Sequence, residues 1–210
     1  MRKEEELLFK NFPGLVNNPD QLDKKLKQVE TIKMALKELL ELCGDGPSRN
    51  GLLETPQRVI KAFLEYSEGY REDPKKHLET LFDIPNKELI IVKDIEFYSL
   101  CEHHLAPFFG VVHVGYVPHK KLTGLSKIAR VVEGYARRFQ VQERLTTEII
   151  NALVEKLEPL GAIVVIEAKH MCMCSRGIKK GTSLTTTSAV RGIFEKQAAP
   201  RAEFLSLIKG

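Results

Sequence analysis

Two short segments of the chain carry side chains that bind transition metals. The first is the run CEHH at residues 101–104, and the second, much later in the chain, is the run HMC at residues 170–172. Zn²⁺ binds thiolate sulfur and imidazole nitrogen, and three protein ligands with one open position make a catalytic zinc site. Cys101, His104 and Cys172 would supply that set. The two segments therefore predict one catalytic zinc ion.

The spacing within each segment decides which side chains face the metal. A single turn brings Cys101 and His104 to one ion, and a strand at the second segment would point His170 and Cys172 to the same side. His103 and His170 then stand beside the metal without being needed as ligands. Because imidazoles with an ordinary pKa near ~6.5 exchange protons at neutral pH, these two are candidate catalytic groups.

Cys174 leaves two interpretations open, a fourth ligand or a neighbouring thiol. A fourth protein ligand would close the coordination sphere, so we favour the neighbouring thiol. A four-cysteine zinc ribbon is excluded because the sequence contains no CxxC pair. The metal-free alternative is that these cysteines are small buried apolar residues.

The composition is that of one globular domain with a helical extension. The 210 residues are 43% hydrophobic and 29% charged. Lys and Arg number 32 against 28 Asp and Glu, a net charge of +4 that favours small anionic substrates over a nucleic-acid groove. The start MRKEEE lacks the apolar core of a signal peptide, and no apolar run has membrane-spanning length. We therefore expect a cytoplasmic protein with reduced thiols.

Hydrophobic periodicity divides the chain near residue 85. An apolar repeat of three to four residues predicts a helix over about 20–43, and Thr55 as N-cap before Pro56 predicts a second helix up to Gly69. Alternating and β-branched runs predict strands at 89–92, 95–98, 109–117, 162–168 and 185–190. We expect an N-terminal helical region over 1–84 and a catalytic domain over 85–210.

Helices are predicted between and after these strands. They begin at Leu125, at Gln142 and at Pro200. Two antiparallel strand pairs with helices grouped between them predict an α+β fold rather than a doubly wound sheet. A sheet of a few strands with exposed edges tends to pair with another chain, so we expect a homo-oligomer that closes a barrel.

Basic residues near the metal segments indicate an anionic ligand. Ser126 lies at a helix start, where backbone N–H groups attract anions, and Lys127 and Arg130 share one face of that helix. Arg176 follows Cys172 closely. Several converging cations suit a polyphosphate, although most such residues are solvated surface in other proteins. Glu143, after Gln142, is either a favourable first-turn carboxylate or an acceptor for the N–H groups of a purine.

Taken together, these motifs resemble GTP cyclohydrolase I. The matching runs are YSLCEHHLAPFFGVVHVGYVP, GLSKIARVVEGYARRFQVQERLT, EAKHMCMCSRG and PRAEFLSLI. The resemblance extends from about Glu54 to the C-terminus. It implies a tunnelling fold, in which antiparallel sheets with helices join into an oligomeric β-barrel, usually a homodecamer of two pentamers. It also implies that GTP and water give 7,8-dihydroneopterin triphosphate and formate, the first step toward tetrahydrofolate or tetrahydrobiopterin.

The resemblance assigns a role to each candidate residue. It implies Cys101, His104 and Cys172 as zinc ligands and His103 and His170 as the proton-transfer pair. It implies Glu143, with the backbone near Val141 and Gln142, as the guanine anchor. The implied triphosphate-binding residues are Ser126, Lys127, Arg130, Arg176 and, from a neighbouring subunit, Arg58.

Two other functions remain as alternatives. One is a hydrolase of the same fold that stops at an earlier GTP-derived product, which the presence of both His103 and His170 disfavours. The other is a zinc-stabilised binding module without catalysis. Chelation distinguishes such a binding module from an enzyme, because removing a structural zinc ion unfolds the protein.

Overall fold

The computed structural model describes residues 8–12, 14–16, 18–83 and 88–209 and forms two compact units that divide between Arg71 and Glu72. The predicted domain boundary at 84/85 stays a prediction, and residues 84–87 lie outside the described part of the chain. Among the described helices, none combines the length and apolar character that a bilayer crossing requires.

The first unit is built on two helices, α1 (Pro19–Leu42) and α2 (Thr55–Tyr66). Asn18 caps α1 by accepting a hydrogen bond from the Gln21 N–H at 2.8 Å. The helix predicted over about 20–43 is therefore confirmed. The predicted cap of α2 is wrong by one position, because Thr55 is already helical and Glu54 precedes it without a side-chain cap. The core of this unit consists of Leu8, Phe9, Phe12, Leu26, Val29 and Ile60.

The second unit contains seven strands and five α-helices among its described residues. The strands are β1 (Leu81–Phe82), β2 (Ile90–Cys101), β3 (Pro107–Val117), β4 (Leu122–Thr123), β5 (Phe139–Gln140), β6 (Gly161–His170) and β7 (Thr185–Gly192). The helices are α3 (Leu125–Ala136), α4 (Gln142–Leu157), α5 (Met171–Cys174), α6 (Ile193–Lys196) and α7 (Ala198–Lys209).

Five strands form one sheet in the order β5-β2-β3-β6-β7, and β1 pairs separately with β4. All pairs in the large sheet are antiparallel except β2 with β5, which are parallel. The two strands predicted at 89–92 and 95–98 are one strand, β2, with a bulge between Val92 and Ile95. Asp94 occupies that bulge with a φ of 58°. The α+β prediction is confirmed.

Helices cover one face of the sheet and part of the other, where Tyr98 of β2 stays exposed. On one face α3 packs on β2, and α4 packs on β6 and β7. The core between these layers includes Val112, Val114, Tyr116, Ile128, Leu145 and Ile149. On the other face the buried ring of Phe204 from α7 lies against Gly115 of β3, and a Cβ at that glycine would come within 2.6 Å of the ring. Apolar burial beneath α3 and α4 thus holds β2 and β6, whose ends carry the candidate metal-binding segments.

Candidate metal centre and active site

The CEHH segment forms the tight turn that joins β2 to β3. The N–H of Cys101 donates to the Ala106 carbonyl at 2.9 Å, and the Cys101 carbonyl accepts from the Leu105 N–H at 2.8 Å. Leu105 adopts a φ of 51°, a left-handed conformation that a non-glycine residue takes only when its surroundings impose it. This turn brings Cys101 and His104 to one side, as the spacing predicts.

The second segment is not a strand throughout, which corrects the sequence-based explanation of its geometry. β6 ends at His170, opposite Phe108 of β3, and Cys172 lies in the single helical turn α5. The turn is stabilised by Ser175, whose N–H and Oγ both bond the Met171 carbonyl, at 3.0 and 2.7 Å. The chain thus leaves the sheet after His170, and a helical turn rather than strand alternation directs the Cys172 thiol.

The structure brings together the three side chains predicted as metal ligands. The ligand atoms of Cys101, His104 and Cys172 all lie within 4.8 Å of one another. In tetrahedral zinc coordination such atoms are about 3.5–3.8 Å apart, so a small inward movement would suffice. Cys101 is buried, Cys172 is half-buried and His104 is exposed. The cluster is therefore open to solvent on the His104 side.

The donor chemistry of the cluster fits zinc. Burial, followed by the neighbouring Cys101 sulfur, raises the pKa of the Cys172 thiol, so two adjacent thiolates are unfavourable without a cation. A bound divalent cation would remove that repulsion and keep both sulfurs deprotonated. Cys174 does not belong to the cluster, and its thiol donates instead to the Lys180 carbonyl at 3.5 Å.

His170 is held in one orientation beside the cluster. Its ring stacks on Phe108, with centroids 4.7 Å apart and planes 5° apart, and its Nε2 lies 2.8 Å from Oε1 of Gln142. Burial lowers the pKa of His170, and the Glu143 carboxylate acts in the opposite direction. His170 is thus a fixed imidazole near an acidic side chain, and its lowered pKa favours the neutral form, which suits proton transfer.

The side chain of Gln142 determines which nitrogen of His170 is available. Its amide nitrogen donates to the carbonyls of Ile166 (3.1 Å) and Thr185 (2.9 Å) and to the Thr187 hydroxyl (3.1 Å). Carbonyls only accept, so the amide oxygen must face His170 and Nε2 of that ring must carry a proton. Neutral His170 therefore offers Nδ1 as its proton acceptor.

The other predicted catalytic histidine, His103, contacts the thiol of Cys101. Its Nδ1 lies 3.7 Å from Sγ of Cys101, and its ring meets that of His104 edge-on, with centroids 6.2 Å apart. His103 is exposed. It therefore stands on the open side of the cluster.

Two of the predicted substrate-binding residues act electrostatically on the site. Glu143 is exposed in the first turn of α4, and its charge acts on His170. Arg176 is exposed just after α5, and its charge partly opposes the rise that burial and Cys101 cause in the pKa of the Cys172 thiol. The side chain of Gln142, in contrast, is only 1% exposed and is fully engaged with β6, β7 and His170.

The remaining predicted binding residues lie elsewhere in the chain. Ser126 and Lys127 are in the first turn of α3 and Arg130 follows in the second, and within the described residues no hydrogen bond or ion pair joins them to the metal cluster. Ser126 and Arg130 are exposed. Arg58 belongs to the first unit, where its Nη2 lies 2.6 Å from Oε2 of Glu54.

Sequence reasoning missed the residues that support the site. Phe108 supports the ring of His170, and Arg144 forms an ion pair with Glu102 inside the CEHH turn. Glu102 lies in the CEHH motif and Arg144 in the QVQERLT motif, and their opposite charges could have predicted this ion pair. Nothing in the sequence indicated that Phe108 and His170 are register partners.

Fold and site together define an α+β protein with a three-donor cluster that could bind a metal, next to an imidazole held in one orientation. A sequence profile of the GTP cyclohydrolase I family matches residues 32–209. The chain belongs to the GTP cyclohydrolase I family, and it is an enzyme of that family.

Similar proteins named GTP cyclohydrolase 1 occur in several bacteria. The protein from Halalkalibacterium halodurans is 57% identical over 182 residues, which cover 86% of this chain and 97% of that protein. The one from Geobacillus kaustophilus is 56% identical over 179 residues, covering 85% and 95%. That from Pelotomaculum thermopropionicum is 54% identical over 180 residues, covering 85% and 96%. The resemblance found in the sequence is thereby confirmed.

Proposed function

We propose that this enzyme converts GTP to 7,8-dihydroneopterin triphosphate with release of C8 as formate, using one zinc ion per subunit. Two hydrolytic steps consume two waters, and the later ring closure returns one. The observation that carries the proposal is the convergence of Cys101, His104 and Cys172 beside His170 in a member of this family.

Cys101, His104 and Cys172 would hold the zinc ion. A zinc ion bound there supplies Lewis-acid activation of water, lowering its pKa to about 7. His170 accepts and returns protons at Nδ1, because Nε2 is committed to Gln142. His103, on the open side of the cluster, is the second group for proton transfer.

The guanine base is held by the first turn of α4. Glu143 is exposed there and its carboxylate accepts the two N–H donors of the guanine edge, while the backbone near Val141 and Gln142 completes the contact. Because the Gln142 side chain is already fully bonded, its contribution to guanine binding comes from the main chain. The base is thereby placed with its imidazole ring toward His170.

The triphosphate is held by cationic groups and an oligomeric assembly completes the site. Lys127, Arg130 and Arg176, with the Ser126 hydroxyl, bind the phosphates through charge-assisted hydrogen bonds. Arg58 reaches them from a neighbouring subunit of a homodecamer. These assignments rest on the family resemblance and on the exposure of Ser126, Arg130 and Arg176. Binding of the phosphates positions C8 without contacting it.

The test is turnover of GTP by the purified oligomer loaded with zinc. We expect one formate per GTP and a product that becomes a fluorescent pterin on oxidation. Release of a formylated intermediate without formate would favour the early-stopping hydrolase instead. Chelated protein should stay folded and oligomeric but lose turnover, and zinc should restore that turnover.

A further inference from the structure

We propose that Arg144 is a positioning residue that holds the metal-binding turn in its ligating conformation through Glu102. The proposal deepens the proposed function and rests on its zinc site, but it concerns metal affinity rather than the reaction on GTP. Arg144 belongs to α4 and Glu102 lies between the ligand Cys101 and the histidines of the turn.

Arg144 makes three kinds of contact with the strand ends around the turn. Its Nη2 donates to the Glu102 carboxylate and, at 2.9 Å, to the Phe139 carbonyl. Its Nε donates to the side-chain oxygen of Gln140 at 2.9 Å. A guanidinium presents its donors in a rigid planar fork, so three acceptors leave it little freedom.

The anchor of this arginine is itself fixed. Gln140 is 1% exposed, and its side-chain nitrogen donates to the Tyr135 carbonyl (3.1 Å) and to the Glu148 carboxylate (2.7 Å). Its backbone carbonyl accepts from the Glu102 N–H at 3.0 Å, where β5 pairs with the end of β2. Main-chain and side-chain contacts thus hold the turn at the same residue, Glu102.

The ion pair between Arg144 and Glu102 should affect zinc affinity more than the stability of the whole protein. The Arg144 and Glu102 side chains are 42% and 36% exposed, and an exposed ion pair contributes little to the free energy of unfolding. The geometry of Cys101 and His104, however, depends on a turn that contains a left-handed Leu105. Outer contacts that orient metal ligands typically change metal affinity by about 10- to 100-fold. The effect should therefore appear in zinc binding, with little change in melting temperature.

The test compares Arg144→Lys with wild-type oligomer in the absence of GTP. Lysine keeps the positive charge but cannot make the fork of hydrogen bonds. We measure zinc affinity by competition with a chromophoric chelator and the visible absorption spectrum of the Co²⁺-substituted site. We expect about tenfold weaker zinc binding and an altered Co²⁺ spectrum, with a melting temperature within about 2 °C of wild type.

Two further variants make the result decisive. Glu102→Gln removes the charged acceptor, while Arg144 keeps its bonds to Phe139 and Gln140. This variant should also lower the zinc affinity, and it tests the proposal if Arg144→Lys fails to fold. Arg137→Lys disrupts a comparable surface pair, with Glu133 at 2.6 Å, and should bind zinc like wild type.

Wild-type zinc affinity and Co²⁺ spectrum in Glu102→Gln and in folded Arg144→Lys would overturn the proposal. Equal weakening in Arg137→Lys would also overturn it, since the effect would not be specific. These measurements use no substrate, so they separate this proposal from the proposed function. If the wild-type protein does not turn over GTP, but Glu102→Gln and Arg144→Lys both bind zinc more weakly than wild type, only the proposed function is refuted.

Discussion

The Nε2 atom of His170 lies 2.8 Å from Oε1 of Gln142, and the stacked ring of Phe108 fixes the plane of the same imidazole. These two contacts determine both where His170 points and which of its nitrogens carries the proton. The orientation derives from β6 and β7, because the Gln142 amide is bonded to Ile166, Thr185 and Thr187.

Replacement of Gln142 should therefore impair catalysis more than substrate binding. In Gln142→Met the imidazole is free to rotate and to change tautomer, and we expect kcat to fall by up to about 100-fold with KM changed much less. Steady-state kinetics on GTP and ¹⁵N NMR of labelled histidines measure the two effects.

Thr146→Val is the matched control for Gln142. The Thr146 hydroxyl bonds Thr187 at 2.7 Å and the Gln142 carbonyl at 2.7 Å, so it shares the buried network without contacting His170. This variant should lose stability but keep its kcat. A similar fall in kcat in both variants would mean that general loosening of the network, not the contact with His170, is responsible.

The variant His170→Asn should show whether His170 is a metal ligand or a proton-transfer group. We expect zinc content near one per subunit with turnover reduced by about 100-fold or more, because a general acid–base group is lost while the three ligands remain. Cys172→Ala should lose the metal as well. Metal analysis of both variants decides the matter, and a zinc-free His170→Asn protein would make His170 a ligand.

Arg130→Ala should weaken the binding of the triphosphate selectively. Loss of one charge-assisted hydrogen bond should raise the KM for GTP about tenfold, while the dissociation constant of guanosine stays near its wild-type value. Lys156→Ala is the control, since Lys156 pairs with Glu79 at 3.6 Å. Equal losses for GTP and guanosine would remove Arg130 from the phosphate site.

Phe204→Ala should destabilise the second unit without altering the metal cluster. Phe204 is fully buried against Gly115, and its truncation should cost about 3–5 kcal/mol of unfolding free energy. Denaturant unfolding of the zinc-loaded protein measures this. Phe204→Leu, which keeps most of the apolar volume, should cost less; equal costs would show that the ring itself is not tightly packed.

Hydrophobic periodicity predicted much of this fold. The starts of α3 and α4 are where the apolar repeats place them, because those helices bury one face on the sheet. The single strand β2 was predicted as two, because the bulge at Asp94 interrupts the alternation of side chains without ending the strand pairing. Local pattern alone does not distinguish a bulge from a turn.

The sequence predicted which residues form the candidate site, but not the local structure that positions them. Thiols and imidazoles mark the metal cluster wherever they lie in the chain, whereas the turn α5 arises from tertiary context at the end of β6. Only the backbone of Gln142 was expected near the substrate. The bonds of its side chain to β6 and β7 depend on long-range strand pairing. Such contacts between distant segments have no local signature.

The placement of the three cluster residues also bears on the order of folding. Cys101 ends β2 and Cys172 follows β6, so their thiols meet only after β3 has paired with both strands. Closing so long a chain segment is slow and entropically costly, and it precedes any benefit from the metal. We therefore expect zinc uptake during refolding to be a late event whose rate follows completion of the central sheet rather than its nucleation.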